Sequence, residues 1–179
     1  DVELAVPVTP FYAESGGQTG DTGTLTGTGL RATVTDTKKP AGSVFFHHVS
    51  VEEGELSVGG TVTLQIDAKR RAAIKLNHTA THLLHAALRQ VLGDHVMQKG
   101  SLVAPDRLRF DFSHPRPVTL DEQQQIEDLV VAEILRNQSL GVAEMSMDDA
   151  MEKGAMALFG EKYGSEVRVV EIAGFSTEL

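Results

Sequence analysis

The sequence predicts an α+β fold: a glycine-rich, small β-barrel-like subdomain over residues 1–67, followed over residues 68–179 by an α+β sandwich with helices on a mainly antiparallel sheet. Two observations predict this division. In the first 67 residues, short runs rich in Val and Thr are separated by glycines, a pattern typical of small barrels and folded sheets. Residues 70–92 then contain no Gly or Pro, and Gly93 is a typical helix stop.

The first subdomain is predicted to consist of short strands joined by glycine turns. Each predicted strand is a run of apolar or β-branched residues bounded by turn-forming residues. The predicted strands are residues 2–8, 30–34, 44–49 and 62–66.

The predicted helix over 70–92 has two faces. At 100° per residue, one face collects an apolar stripe that should pack on a core, formed by Ala73, Leu76, Ala80, Leu83, Leu84, Ala87 and Val91. The opposite face carries histidines and cations without a carboxylate, namely His78, His82, His85, Arg71, Lys75 and Arg89.

The spacing of His78 and His82 makes them candidate metal ligands. Side chains at i and i+4 of a helix lie on one face, so both imidazoles can reach one ion. The spacing alone is equally compatible with two surface histidines that bind nothing. A zinc peptidase is disfavoured, because Thr79 follows His78 where that motif needs a glutamate as general base.

The rest of the second subdomain alternates strands and helices. Residues 96–103 and 107–112 are predicted strands joined by a turn at Pro105 and Asp106. A helix is predicted from Thr119, which forms a capping box with Glu122. A strand over 142–147, a short helix over 148–153 and a strand over 167–172 complete the prediction.

Charge and composition restrict the partners. The net charge is −9, but residues 69–116 hold nine cations and three acids, which gives 9 − 3 = +6 there and −15 elsewhere. Such asymmetry predicts a local anionic partner, although chance clustering is the alternative. Without cysteine, disulfides and thiol catalysis are excluded in these residues, and a reducing cytoplasm is compatible. With no apolar run of 18 residues, we expect no membrane partner.

A glycine-rich loop over residues 11–21 is the second candidate site. It lacks a Gly-Lys-Ser/Thr sequence and no helix follows, so a nucleotide-triphosphate loop is disfavoured. The amide of Gln18 offers donors and an acceptor, which could orient a water or hold a developing oxyanion. A plain glycine turn with an exposed glutamine is the alternative.

Four segments, in order along the chain, resemble the editing domain of alanyl-tRNA synthetases, which is related to free-standing alanyl-tRNA editing proteins and to the threonyl-tRNA synthetase editing domain. The opening signature is similar to TPFYAESGGQTGD over 9–21, and the metal-binding helix is similar to HTATHLLH over 78–85. Residues 100–103 and 108–114 resemble part of the sheet, and 157–164 resemble a loop before the last strand.

The resemblance implies hydrolysis of the aminoacyl ester of mischarged tRNA(Ala), either seryl- or glycyl-tRNA. It implies that His78 and His82 bind zinc. We expect these two histidines to act in catalysis together with Gln18, whose amide could hold the ester or the water. In the family, the stretch similar to residues 175–179 runs on into Cys-Gly-Gly-Thr-His, whose Cys and His complete the zinc site. We therefore expect zinc in the complete protein and weak or absent zinc binding in this chain, which begins without Met and which we expect to be part of a longer synthetase.

The remaining expected partners are the tRNA(Ala) acceptor end and the other domains of the synthetase, in the cytoplasm. Polar side chains that could recognise the hydroxyl of serine are Thr79, Thr81 and Ser101. Cations that could meet acceptor-stem phosphates are Arg71, Lys75, Arg89 and Lys99. Two alternatives stay open: a free-standing trans-editing deacylase, and a tRNA-binding module without hydrolytic activity.

Overall fold

The computed structural model describes residues 1–40, 42–155 and 164–178, and the α+β class is confirmed. The elements before the long helix are β1 (Val2–Leu4), β2 (Gly23–Gly27), β3 (Leu30–Lys38), β4 (Phe46–Glu53) and β5 (Thr63–Ile66). The remaining elements are α1 (Ala68–Leu92), β6 (Gln98–Val103), β7 (Leu108–Phe112), α2 (Leu120–Arg136), β8 (Gly141–Ser146), α3 (Met147–Glu152), β9 (Glu166–Ile172) and β10 (Ser176–Glu178).

The chain divides into two compact units. The first unit contains Asp1–His78 and Leu102–Leu108, and the second contains Thr79–Ser101 and Arg109–Leu179. The helix α1 begins in the first unit and continues in the second, so the division falls inside the helix, after its eleventh residue.

The first unit is built on one antiparallel five-stranded sheet. Its strand order is β1-β4-β3-β2-β5, and no pairing between β1 and β5 closes it within the described residues. The barrel-like closure predicted from the glycine spacing is therefore wrong, and the sheet is open. Its core packs Leu25, Val34 and Val49 from three adjacent strands against Phe11.

The helix α1 ends where the sequence predicts and begins two residues earlier. Gly93 has φ +115°, a conformation that glycine adopts at little cost, and its N–H donates to the carbonyl of Arg89. The predicted stripe is wrong at Leu76, which is 73% exposed. The buried position in this part of the helix is Ile74, and Leu76 lies about 200° further round the helix.

The second unit places α1 inside its core rather than on its surface. Ala87 and Leu88 pack with Val96 and Ile126 in one apolar cluster. On a different side of the helix, His85 is buried as well, although it belongs to the polar face predicted opposite the apolar stripe. One-sided burial, which the stripe assumes, does not hold for residues 83–88.

The sheets and caps of the second unit agree with the sequence in most places. Thr119 accepts a hydrogen bond from the backbone N–H of Glu122, whose side chain returns to the Thr119 N–H, so the predicted capping box is confirmed. The strands do not form one sheet, however: β8, β9 and β10 form an antiparallel sheet, and β6 and β7 form a separate pair. Neither β2 nor β10 was predicted.

Candidate functional site

The glycine-rich loop of the first unit holds Gln18 in a defined position. Gly16 and Gly17 have φ of +56° and +83°, the conformation that a type I′ turn requires at both central residues. The backbone groups of Ser15 and Gln18 exchange hydrogen bonds of 2.9 and 3.2 Å across this turn. On the other side, the N–H of Val103 donates to the carbonyl of Gly17 at 2.8 Å. Both sides of the loop are therefore fixed by backbone hydrogen bonds.

The end of the same loop is anchored on α1 by an ion pair. Asp21 is 2% exposed, and its carboxylate accepts from the Tyr12 N–H at 2.7 Å and from Arg71 Nε at 2.8 and 3.0 Å, with a further short bond from Arg71 Nη2. The hydrogen bonds to Asp21 raise the pKa of the Arg71 guanidinium. Gly20 is required beside this anchor, because a Cβ there would lie 2.2 Å from the Thr37 carbonyl oxygen of β3.

The side chain of Gln18 contacts the first histidine of the predicted metal pair. Its Oε1 lies 2.6 Å from His78 Nδ1, and Gln18 is only 9% exposed. His78 stands seven residues, about two helical turns, after Arg71 on the same side of α1. The loop is therefore held to one face of the helix at two points, by Asp21 and by Gln18.

The contact between Gln18 and His78 determines which atom donates the hydrogen bond and which atom accepts it. Because the amide oxygen accepts, Nδ1 of His78 carries the hydrogen, and the lone pair of the neutral ring is on Nε2. The same orientation makes the amide NH2 the donor end of Gln18. The arrangement gives a hydrogen-bond donor next to a histidine whose Nε2 can act as a base or a ligand.

In the second unit, His82 is held by a buried carboxylate that the sequence did not indicate. Glu178 Oε2 lies 2.5 Å from His82 Nδ1, and Oε1 lies 3.2 Å from His85 Nδ1, an ion-pair distance without hydrogen-bond alignment. The hydroxyl of Ser176 donates to Oε1 at 3.0 Å. Burial raises the pKa of Glu178, but the interactions with His82 and His85 outweigh this effect and lower the pKa to about 2. Glu178 is therefore ionised.

The three residues expected to recognise the serine hydroxyl lie in the second unit. Thr81 is buried, whereas Thr79 and Ser101 are half-buried. Ser101 Oγ accepts a hydrogen bond from Gln98 Nε2 at 3.3 Å. Burial makes Thr81 the least accessible of the three.

The four cations expected to contact phosphate fall into two groups. Arg71 is bonded to Asp21, and Arg89 donates to the carbonyls of Asp94 and Val96 beyond the end of α1. Lys75 and Lys99 are exposed. The two arginines are therefore bonded within the protein and only partly exposed, and the two lysines are the more exposed of the four.

The donor chemistry of the two helix histidines suits a metal. Ligating histidines ordinarily donate the second ring N–H to an oxygen, which fixes the tautomer and orients the ring. His78 and His82 both place Nδ1 against an oxygen acceptor. Within residues 1–40, 42–155 and 164–178, no group of three or more histidine, cysteine, aspartate or glutamate side chains is placed to hold a metal ion. The described residues thus offer two suitable ligands and not a complete site.

Comparison with known proteins first gives a class. Residues 2–70, which include the five-stranded sheet and the loop of Gln18, match the family model described as tRNA synthetases class II (A). No helix among the described residues is long and apolar enough to cross a membrane.

Comparison with curated proteins then shows similarity to a particular member of that class. The chain is 59% identical over 169 residues to the alanine–tRNA ligase of Rhodopseudomonas palustris, covering 94% of the chain and 19% of the relative. It is 58% identical to those of Nitrobacter winogradskyi and Stenotrophomonas maltophilia, covering 93% and 96% of the chain and 19% of each relative. The chain is thus similar, over nearly its whole length, to about a fifth of these alanine–tRNA ligases.

Proposed function

We propose that this chain is the editing domain of an alanyl-tRNA synthetase, and that it hydrolyses the ester joining serine or glycine to tRNA(Ala). The observation that carries the proposal is the contact between Gln18 and His78, which joins the two candidate segments. The similarity to alanine–tRNA ligases supports it, because those segments lie within the matched region.

A second, hydrolytic site answers a physical limit on selecting alanine. Glycine fits any pocket that admits alanine, and the loss of one methyl group discriminates by only about 1–3 kcal/mol. Serine adds one hydroxyl group, which an apolar pocket rejects by only about a hundredfold. Hydrolysis after charging can supply the remaining selectivity.

The proposed chemistry uses the donor end of Gln18. Water adds to the ester carbonyl and gives up a proton, which forms a tetrahedral oxyanion. The intermediate collapses by expelling the ribose oxygen, and that oxygen takes up the proton that the water released. The amide NH2 of Gln18 is oriented by the bond from His78 and donates to the carbonyl oxygen as its charge develops. Such a donor contributes most when it is held in place before the reaction.

The proposal assigns zinc to His78 and His82 in the complete protein. The metal, when bound, would supply Lewis acidity, either to lower the pKa of a water or to orient the substrate. The chain's own contribution is to fix both rings through Nδ1, with Gln18 and Glu178 as acceptors.

Binding of the tRNA acceptor end is assigned mainly to Lys75 and Lys99. Both are exposed, whereas Arg71 and Arg89 are only partly exposed. Phosphate contacts of this kind position a nucleic acid without reading its sequence. The other proposed partners are the remaining domains of the synthetase, and the proposed compartment is the cytoplasm.

A free-standing deacylase would use the same residues and the same reaction. The length of the relatives favours the synthetase, since the matched region is 19% of each one. The inactive tRNA-binding module is disfavoured by the ordered Gln18–His78 contact, which a purely binding surface does not require.

Deacylation of seryl-tRNA(Ala) tests the proposal, with this chain and with one extended through the family's Cys-Gly-Gly-Thr-His. In the extended chain we expect Gln18→Ala to lower the rate constant by about 10²–10³, the usual effect of removing one oxyanion donor. Gln18→Glu keeps the acceptor for His78 but removes the amide donor, so a similar loss is expected. Gln65→Ala, at an exposed position of the same unit, is the matched control. Full activity of Gln18→Ala would reject the assigned role.

A further inference from the structure

The side chain of Glu178 is the least expected feature of the second unit. It is 2% exposed, although a carboxylate in the last strand of a small sheet would ordinarily reach solvent. Burial of an ionised carboxylate is tolerated only where hydrogen bonds replace water. Here the hydrogen-bond partners are His82 and Ser176, and His85 adds an ion-pair contact at 3.2 Å.

The strand β10 explains how Glu178 comes to point inward. β10 pairs antiparallel with β9, with Ser176 opposite Ile172 and Glu178 opposite Val170. Residues two apart on a strand share a face, so Ser176 and Glu178 lie on the same face. Both are buried, and Ser176 orients one carboxylate oxygen while the other is left for His82.

The contact determines the tautomer of His82. A carboxylate can only accept, so the 2.5 Å contact with Oε2 requires a hydrogen on Nδ1 of His82. The lone pair of a neutral ring is then on Nε2. Without an acceptor at Nδ1 the ring can rotate, and a neutral imidazole in water favours the hydrogen on Nε2.

We propose that Glu178 is a positioning residue: held by Ser176, it fixes the ring orientation and tautomer of His82, so that Nε2 is the nitrogen that His82 offers to the site. The functional meaning rests on the proposed function of the chain. The ring geometry itself can be tested without any tRNA or metal.

The test is to determine which ring nitrogen of His82 carries the hydrogen in the neutral ring, by long-range ¹H–¹⁵N correlation spectra of the 179-residue chain with labelled histidine, at a pH high enough that the His82 ring is neutral. His82→Gln assigns the signal. For the wild type we expect hydrogen on Nδ1 and none on Nε2. Glu178→Ala should move the hydrogen of His82 to Nε2.

The conservative variant separates positioning from a general effect on folding. Glu178→Gln keeps an oxygen for His82, and its NH2 can donate to Ser176, so we expect His82 to retain hydrogen on Nδ1. At His85, whose Nδ1 would then face an NH2 group, the hydrogen should occupy Nε2. Glu171→Ala, an exposed glutamate on the neighbouring strand β9, should leave both signals unchanged.

The proposal is overturned if wild-type His82 carries hydrogen on Nε2, if folded Glu178→Ala keeps the wild-type pattern, or if Glu178→Gln loses it. The wild-type spectrum and Glu178→Gln decide the matter even if Glu178→Ala does not fold. Seryl-tRNA deacylation by the extended chain is the separate readout: Glu178→Ala should slow it, and Glu178→Gln should restore much of the rate. A shifted tautomer with an unchanged rate would support the positioning and contradict the proposed role of His82.

Discussion

Replacement of Arg71 by alanine should destabilise the first unit, because it leaves the buried carboxylate of Asp21 without its charged partner. Asp21 is 2% exposed, and Arg71 provides most of its hydrogen bonds. In Arg71→Ala the carboxylate keeps only the Tyr12 N–H among these partners. Removing one member of a buried ion pair destabilises by about 3–5 kcal/mol.

The partial exposure of Arg71 places the expected destabilisation at the lower end of this range. The Arg71 side chain is 28% exposed, so water can partly replace it, and about 3 kcal/mol is expected. Asp21→Asn removes the charge, keeps an acceptor for Tyr12 and leaves an arginine that can turn to solvent, so it should cost about 1–2 kcal/mol. The double variant should be no worse than Arg71→Ala, because no buried charge remains. The two effects are therefore expected to be non-additive by at least about 1–2 kcal/mol.

Denaturant and thermal unfolding of the four proteins measure these values. Arg71→Ala should lower the melting temperature by roughly 6–12 °C, at about 2–4 °C per kcal/mol for a chain of this size. Arg109→Ala, which breaks an exposed pair with Asp111, should change stability by less than about 1 kcal/mol. Additive effects of Arg71→Ala and Asp21→Asn, or an Arg71→Ala that weakens tRNA binding at unchanged stability, would refute the structural role of the pair.

Three further outcomes are expected. Lys75→Ala should weaken binding of an acceptor-stem RNA and reduce its salt slope by about one, whereas Lys38→Ala should not. Two imidazoles provide half of a four-coordinate site, so metal analysis after dialysis should find well under one zinc per chain, and near-stoichiometric zinc bound by His78 and His82 would contradict this. Burial lowers the pKa of His47 despite its hydrogen bond to Leu4. The unfolded chain therefore takes up the proton at a higher pH than the folded chain, so the free energy of unfolding should fall as the pH drops below about 6.5. In unfolding curves measured at several pH values, His47→Asn should flatten this dependence.

Local signals were sufficient to predict the helices. The stop of α1 at Gly93 and the capping box at Thr119 depend on residues within a few positions of each other, so the sequence displays them directly. Burial of the helix is not local. Leu76 is exposed and His85 buried because α1 packs differently along its length, which a single periodic stripe cannot express.

The strands missed by the sequence depend on tertiary pairing. β2 begins and ends in glycine, which disfavours a strand, yet it pairs with both β3 and β5. β10 has only three residues, too few for a periodic pattern, and pairs with β9. Long-range pairing overrides weak local preference in both.

The candidate site was predictable where chemistry identifies a residue type. The histidine spacing and the loop of Gln18 are visible in the sequence, and their complementary chemistry suggested that they meet; the 2.6 Å contact of Gln18 and His78 agrees with that expectation. Asp21 and Glu178 were missed as partners of Arg71 and His82. Their partners are 50 and 96 residues away, and an acid that the fold buries looks the same in sequence as one on the surface.

The measurement that tests the central claim most directly is the ratio of kcat/KM for seryl-tRNA(Ala) and correctly charged alanyl-tRNA(Ala), using the chain extended through the family's zinc ligands. An editing site that binds the serine hydroxyl should leave the alanyl ester largely intact. A site built to form a hydrogen bond with a substrate hydroxyl discriminates by about 10⁴–10⁵ against the analogue that lacks it, and this value is the upper bound for the ratio of the two kcat/KM values. Much faster hydrolysis of the seryl ester, at a rate that depends on Gln18, is the predicted result. Equal rates for the two esters, or no hydrolysis above the buffer rate with zinc bound, would contradict the account.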